Sequence, residues 1–79
     1  MDLNNFIKSF AVQFEETAMS EFSPKTQFKN IKEWSSLIAL SVIAMVEEEY
    51  EVAIKGDDIR KSSTIEDLFN AVKAKAKAS

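Results

Sequence analysis

Residues 34–50 of this chain read WSSLIALSVIAMVEEEY and predict a central helix. All of residues 37–46 are apolar except for one serine. A helix that is apolar nearly all round lies in the middle of a fold or has a face meant for another molecule. Ser35 or Ser36 can cap its start, because a serine oxygen there accepts a hydrogen bond from an unpaired N–H group of the first turn. We therefore expect the helix to run from one of these serines to about Glu51.

The sequence on either side predicts two further long helices and one short helix. Apolar residues recur at helical spacing in both flanks, and the second flank opens with capping hydroxyls and acids at 63–67. We place the first helix from about Asp2 to about Thr17, a short helical turn at 56–61, and the start of the last helix within the capping segment at 63–67. The apolar stripes are Leu3, Phe6, Ile7, Phe10 and Phe14 in the first helix, and Ile65, Leu68, Phe69, Val72 and Ala76 in the last.

A long irregular connection, roughly 18–35, joins the first two long helices and is broken by a Ser-Pro pair at 23–24. Connections of this length are usually functional or disordered. Its large apolar residues argue against disorder, so we expect them to anchor the connection to the ends of the helices. These residues are Phe22, Phe28, Ile31 and Trp34. With one Gly and one Pro in the chain, the prediction is an all-α four-helix bundle in a single domain, 1–79.

Composition disfavours several classes of protein. The chain has no His and no Cys, so it lacks a disulfide framework, a thiolate metal site and the commonest proton-transfer side chain. Its formal net charge of -3 disfavours nucleic acid as a partner, because phosphate contacts need a basic face. The start lacks the features of a signal peptide, and the most apolar run is too short for a membrane span. We expect a soluble cytoplasmic protein, and Met1 with the basic tail suggests a free-standing chain.

Ser36 is the residue best placed to have another group attached to it. A phosphodiester on a serine of the first helical turn lies beside unpaired backbone N–H groups and the positive end of the helix dipole. Such a site stabilises a phosphate without a basic side chain. From spacing alone, the alternative that Ser35 and Ser36 are both ordinary capping residues stays open.

Four motifs occur in an order that is typical of one protein family. The Trp-Ser-Ser-Leu of 34–37 resembles a Trp-Asp-Ser-Leu variant of the Asp-Ser-Leu that starts the family's second helix, and the Glu-Glu-Glu-Tyr of 47–50 resembles the cluster that ends it. Residues 23–28 are similar to the family's first loop, and residues 64–68 to the start of its fourth helix. Together these motifs cover nearly the whole chain, which thus resembles the acyl carrier proteins.

This resemblance implies an acyl-carrier-protein-like four-helix bundle with 4'-phosphopantetheine, taken from coenzyme A, on Ser36. A separate phosphopantetheinyl transferase would install the group, with the Ser36 hydroxyl attacking and Mg²⁺ assisting at that enzyme's site. The thiol would then hold acyl or aminoacyl groups as thioesters for fatty-acid, polyketide or related lipid and secondary-metabolite biosynthesis. The chain would be a monomeric phosphoprotein and not an enzyme, and its partners would be the transferase and the enzymes that load and process the acyl group.

The predicted second helix is also expected to dock these partners. Residues 36–54 contain four acids and no base, and the acids are bunched at the far end of the helix from Ser36. We therefore expect apolar contact near Ser36 and electrostatic contact with basic partners at the far end. The docking residues that we assign are Ser35, Leu37, Ile38, Ser41, Glu48 and Glu49.

One departure from the family favours a different class of function. Ser35 stands where the family has Asp, so the chain lacks a carboxylate that is expected to orient the transferase and its metal. The alternative is an unmodified helical interaction module that binds a partner protein through its second helix. A serine hydrolase is disfavoured, because the chain has no His to activate Ser36 and no Gly-x-Ser-x-Gly motif.

Two smaller features each have a functional and a structural interpretation. Asp57 and Asp58, with Glu51, could hold a cation, but their spacing is not that of a calcium-binding loop, and helix capping with surface charge fits them better. Ala39 and Ala44 could leave room for an acyl chain between the helices, and close packing explains them equally well.

Overall fold

The computed structural model describes residues 2–78, which form four α-helices and contain no strand. The helices are α1 (Leu3–Ala11), α2 (Ser36–Tyr50), α3 (Gly56–Lys61) and α4 (Ile65–Ala78). Two 3-10 turns, Met19–Glu21 and Phe28–Asn30, lie in the connection between α1 and α2. The radius of gyration is 11.4 Å, close to the value of about 12 Å expected for a compact domain of this length. The predictions of an all-α chain, a short third helix and a long first loop are confirmed.

Helices α2, α3 and α4 begin where the sequence predicts, and side-chain caps fix the starts of α2 and α4. The Ser35 hydroxyl accepts a hydrogen bond from the N–H of Ile38 at 3.3 Å. Before α4, the Thr64 hydroxyl accepts from the N–H of Asp67, and the Asp67 carboxylate accepts from the N–H of Thr64, both at 3.1 Å. This reciprocal pair is a capping box, which satisfies two donors that a helix start otherwise leaves unpaired.

Helix α1 ends at Ala11, so the predicted end at about Thr17 is wrong. The carboxylate of Glu33 accepts hydrogen bonds from the N–H groups of Glu15, Glu16 and Thr17, at 2.6, 3.0 and 3.0 Å. In a continued helix these N–H groups would bond to carbonyls four residues earlier. A carboxylate from the far end of the connection takes the place of those carbonyls, and the chain bends away from the helix axis.

An aromatic cluster ties the connection to the helices. Phe10 lies at its centre and is fully buried, and its ring centroid lies 5.3 Å from that of Phe28 and 6.5 Å from that of Trp34. The rings of Phe14 and Phe22 extend the cluster, with their centroids 5.0 Å apart. The anchoring role predicted for the connection is confirmed, because all four of its anchors are buried in the core or packed against it: Phe22, Phe28, Ile31 and Trp34.

The connection also covers the start of α4. The main-chain oxygen of Thr26 accepts a hydrogen bond from the N–H of Ile65 at 3.1 Å, and that of Pro24 accepts from the N–H of Glu66 at 3.0 Å. The first N–H groups of a helix have no partner within the helix. The connection supplies those partners here, and these bonds hold it against the start of α4. Within residues 2–78, no helix is long and apolar enough to cross a membrane.

Glu51, which directly follows α2, has a left-handed backbone conformation, with φ 56° and ψ 37°. A residue with a Cβ atom is strained there, whereas glycine is not. We expect Glu51→Gly to raise the free energy of unfolding by about 0.5–1 kcal/mol. The matched control is Glu48→Gly inside α2, which should lower it by about 1 kcal/mol. Urea unfolding followed by Trp34 fluorescence measures both, and a loss of stability in both variants would contradict the expectation.

Candidate functional site

Ser35 and Ser36 have different roles at the start of α2. Ser35 has an extended backbone, with φ -157° and ψ 171°, and its hydroxyl caps the helix by accepting from the N–H of Ile38. Ser36 is the first helical residue and is exposed, and its hydroxyl makes no hydrogen bond with any residue of 2–78. The two serines are thus not equivalent capping residues. One of them holds the helix start, and the other presents an unengaged hydroxyl.

The backbone around Ser36 suits a phosphate. The N–H groups of Ser36 and Leu37 donate no hydrogen bond within the described part of the chain, because they belong to the first turn of α2. These donors and the positive end of the helix dipole favour a negative group bound to the Ser36 oxygen. The residues present therefore fit a serine-linked phosphodiester.

An apolar face follows Ser36 along α2. Leu37 is 74% exposed and Leu40 is 63% exposed, and side chains three positions apart lie on the same face of a helix. Ile38, assigned to the same docking surface from the sequence, lies partly buried and packs against the core. Leu40 was not among the predicted docking residues, although its spacing from Leu37 was a signal that could have found it.

The acids at the far end of α2 do not all point the same way. Glu47 and Glu48 are exposed, and Glu48 lies about 18 Å along the helix axis from Ser36, at 1.5 Å per residue. Glu49 accepts a hydrogen bond from the Ser9 hydroxyl of α1 at 2.9 Å. Ser41 is half-buried and lines a shallow cleft with Glu48 and Glu49. These three predicted docking residues therefore lie together, at a distance from Leu37.

An open groove of about 580 Å³ lies beside Ser36, between α2, α3 and the end of the connection. Ser36 itself lines it, so a group attached to this serine reaches the groove directly. Of the two small residues considered from the sequence, Ala39 lines the groove, and Ala44 lies on the exposed side of α2. The remaining groove residues are Lys29, Trp34, Ser35, Leu40, Ile43, Gly56, Ile59 and Arg60.

The acids near α3 act as structural groups. The Asp58 carboxylate accepts a hydrogen bond from the N–H of Lys55 at 2.8 Å, which is the largest cause that lowers the pKa of Asp58, and it pairs with Lys75 at 3.1 Å. Asp57 pairs with Arg60. Within residues 2–78 no three acidic, His or Cys side chains are grouped so as to hold a metal ion. Asp58 therefore caps the start of α3, and Asp57 forms a surface ion pair.

Glu33 holds residues 15–17 against the end of the connection that leads into the site, and no sequence pattern predicts this role. It immediately precedes Trp34, and its carboxylate accepts a fourth hydrogen bond from the Thr17 hydroxyl at 2.8 Å. These bonds, of which the N–H of Glu15 is the largest cause, lower the pKa of Glu33 below its ordinary value of 4.5. Because the folded pKa is lowered, the stabilisation is present above about pH 4.5 and is lost as the pH falls through the folded value.

This dependence gives a prediction for Glu33→Gln. We expect a lower urea midpoint than wild type at pH 7, because a neutral amide accepts the four hydrogen bonds less strongly than a carboxylate. The deficit should shrink below pH 4.5, where Glu33 of the wild type also loses its charge. The control is Glu16→Gln, which removes the same charge from a side chain without a hydrogen bond in residues 2–78. A deficit that stays constant from pH 7 to pH 3 would exclude this role for the charge of Glu33.

Comparison with protein-family models, with curated proteins and with solved structures finds no match to this chain. The chemistry of the site is therefore the evidence for the function. Three observations bear on it: an unengaged serine hydroxyl at a helix start, an exposed apolar face beside it, and a groove that opens next to the same serine.

Proposed function

We propose that this chain is an acyl carrier protein, with 4'-phosphopantetheine attached to Ser36. The observation that carries the proposal is the division of roles at the start of α2, where Ser35 caps the helix and leaves the Ser36 hydroxyl exposed and without a hydrogen bond. The Ser36 hydroxyl is not needed to cap the helix, because the Ser35 hydroxyl already does so. The four-helix order with a short third helix and a long first loop supports an acyl-carrier-protein-like bundle.

The attachment is a phosphoryl-type transfer from coenzyme A, catalysed by a separate transferase with Mg²⁺. The Ser36 oxygen attacks the phosphorus that bears the pantetheine, a new P–O bond forms, and the bond to the departing 3',5'-ADP breaks. The hydroxyl proton leaves to a base of the transferase, because this chain has no His to accept it. The first-turn N–H groups of α2 then stabilise the phosphodiester.

Once attached, the group supplies a thiol that holds acyl or aminoacyl chains as thioesters, for fatty-acid, polyketide or related biosynthesis. The chain itself binds, presents and shields that cargo and is not an enzyme. A flexible tether keeps the cargo at a high effective concentration near a docked enzyme. We propose that the protein works as a cytoplasmic monomer and meets its loading and processing enzymes one at a time.

Docking uses two parts of α2. Leu37 and Leu40, which are 74% and 63% exposed and lie on one face of α2, form the apolar contact next to Ser36. Glu47 and Glu48 supply charge about three helical turns further on, where basic residues of a partner would lie. The apolar contact provides most of the affinity, and the acids set the orientation.

The mass of the intact protein tests the proposal. The protein is measured as isolated, and again after incubation with coenzyme A, Mg²⁺ and a tolerant phosphopantetheinyl transferase. A gain equal to one phosphopantetheine, mapped to Ser36, is the expected result. No gain in either sample, while an established carrier protein is modified in parallel, would overturn it.

An unmodified interaction module is the second candidate, and Ser35 is the observation that favours it. Ser35 gives the transferase a neutral hydroxyl where the family has a carboxylate, while the exposed Leu37 and Leu40 would still bind a partner. If the chain is an unmodified interaction module, it carries no covalent group, and its binding to a partner survives Ser36→Ala. Ser35→Asp separates the candidates further, since only a carrier protein is expected to be modified faster when the carboxylate is restored.

A further inference from the structure

Charge distinguishes the groove beside Ser36 from other clefts on this surface. Among the described residues that line it, two are cations, Lys29 and Arg60, and none is an acid. Four other clefts each have at least one acid in their walls. Those acids are Asp2, Glu16, Glu21, Glu33, Glu48 and Glu49. In a chain with a net charge of -3, a groove that holds only cations indicates a preference for an anionic occupant.

Lys29 is the cation of the groove whose charge is not compensated. Its Nζ donates to the main-chain oxygen of Arg60 at 2.9 Å and lies 5.9 Å from the ring centroid of Phe28. No carboxylate of residues 2–78 pairs with Lys29, whereas Arg60 pairs with Asp57. An ammonium group has three N–H donors. The bond to α3 therefore fixes the position of the Lys29 ammonium and leaves N–H donors for an anion.

The rest of the groove is largely apolar. Its apolar lining comes from Trp34 in the connection, from Ile59 of α3, and from three residues of α2: Ala39, Leu40 and Ile43. A volume of about 580 Å³ lies within the range of about 300–1,000 Å³ that is typical of small-molecule sites. Such walls accommodate methylene groups, while the Lys29 ammonium favours a terminal negative charge.

We infer that the cargo of this protein is an acyl chain that carries a free carboxylate, which Lys29 recognises in the groove. The inference rests on the proposed function, because Ser36, the proposed attachment residue, lines the same groove. Lys29 acts as a specificity-determining residue for the cargo. The main-chain oxygen of Arg60 positions the Lys29 ammonium by accepting its hydrogen bond. A neutral chain of equal length fills the same apolar walls without the charge contact.

Two thioesters of pantetheine with equal chain length test the inference: the adipoyl thioester, which ends in a carboxylate, and the hexanoyl thioester, which ends in a methyl group. Each is titrated to millimolar concentration against the unmodified full chain, and the fluorescence of Trp34 reports occupation of the groove. The expected dissociation constant of the adipoyl compound is about two- to fivefold lower, as for an exposed ion pair. The preference should weaken at 0.5 M salt, which screens such a pair.

Lys29→Gln should remove the preference, so that the adipoyl and hexanoyl compounds bind with equal dissociation constants. Lys32→Gln is the matched control, since Lys32 is exposed, lies close in sequence, and lines other clefts. Equal affinity for the two thioesters, no binding of either one, or an equal loss in both variants would overturn the inference. The inference would also be overturned if a 4'-phosphate added to the hexanoyl compound raised its affinity and this increase required Lys29. Lys29 would then recognise the phosphate and not the cargo.

This test does not depend on covalent attachment, because its ligands are free in solution. If the protein prefers the adipoyl compound but gains no mass with coenzyme A, the proposed function is wrong. The groove would still be selective for a carboxylate. A protein that gains the mass but has no preference supports the carrier and overturns the inference about its cargo.

Discussion

Replacing Ser36 with alanine is expected to abolish the mass gain with coenzyme A completely, while leaving the fold and its stability unchanged. The loss is complete because the Ser36 oxygen forms the bond to phosphorus, and no other group of the chain can take its place in the first turn. Stability should not change, because Ser36 is exposed and its hydroxyl makes no hydrogen bond in residues 2–78. Intact mass spectrometry and urea unfolding measure the two effects on the same samples.

Ser35→Ala is the matched control, and its expected effects are the reverse. The loss of the helix cap should lower the free energy of unfolding by about 1 kcal/mol, since the Ser35 hydroxyl accepts from the N–H of Ile38. Ser36 keeps its hydroxyl, so the mass gain should persist. A full mass gain in Ser36→Ala would exclude Ser36 as the attachment residue. A large loss of stability in that variant would instead indicate that Ser36 has a structural role.

Phe10→Ala is expected to have the largest effect on stability. Phe10 is fully buried, and its ring contacts those of Phe14, Phe22, Phe28 and Trp34. Removing a buried phenyl group costs about 3–5 kcal/mol, because the transfer free energy is lost and a cavity remains. A domain of 79 residues has a total stability of only about 4–12 kcal/mol. The variant should therefore be marginally folded or unfolded at room temperature.

Far-ultraviolet circular dichroism and Trp34 fluorescence measure this loss, because the Trp34 ring lies nearly parallel to that of Phe10, with an interplanar angle of 5°. Val12→Ala is the control, since Val12 is close in sequence but 71% exposed, and exposed substitutions usually change stability by less than about 0.5 kcal/mol. Equal midpoints for Phe10→Ala and Val12→Ala would show that the aromatic cluster does not hold the connection in place.

The parts of the candidate site that depend on neighbouring residues could be predicted from the sequence. The start of α2 at Ser36 follows from a serine before an apolar run, and Leu37 and Leu40 share a face because three residues make nearly one turn. Lys29, Arg60 and the groove between them could not be predicted. They come from segments about thirty residues apart that meet only because α3 packs near the end of the connection.

The sequence by itself determined the all-α class, the starts of α2, α3 and α4, and the anchoring of the connection by its large apolar residues. Caps and apolar spacing are local signals, and they act within about one helical turn. Only the tertiary structure decided that residues 15–17 do not continue α1, because the carboxylate that accepts from their N–H groups belongs to Glu33, 16 to 18 residues further along the chain. It also decided that the groove beside Ser36 is basic, since Lys29 and Arg60 come together there only across the fold.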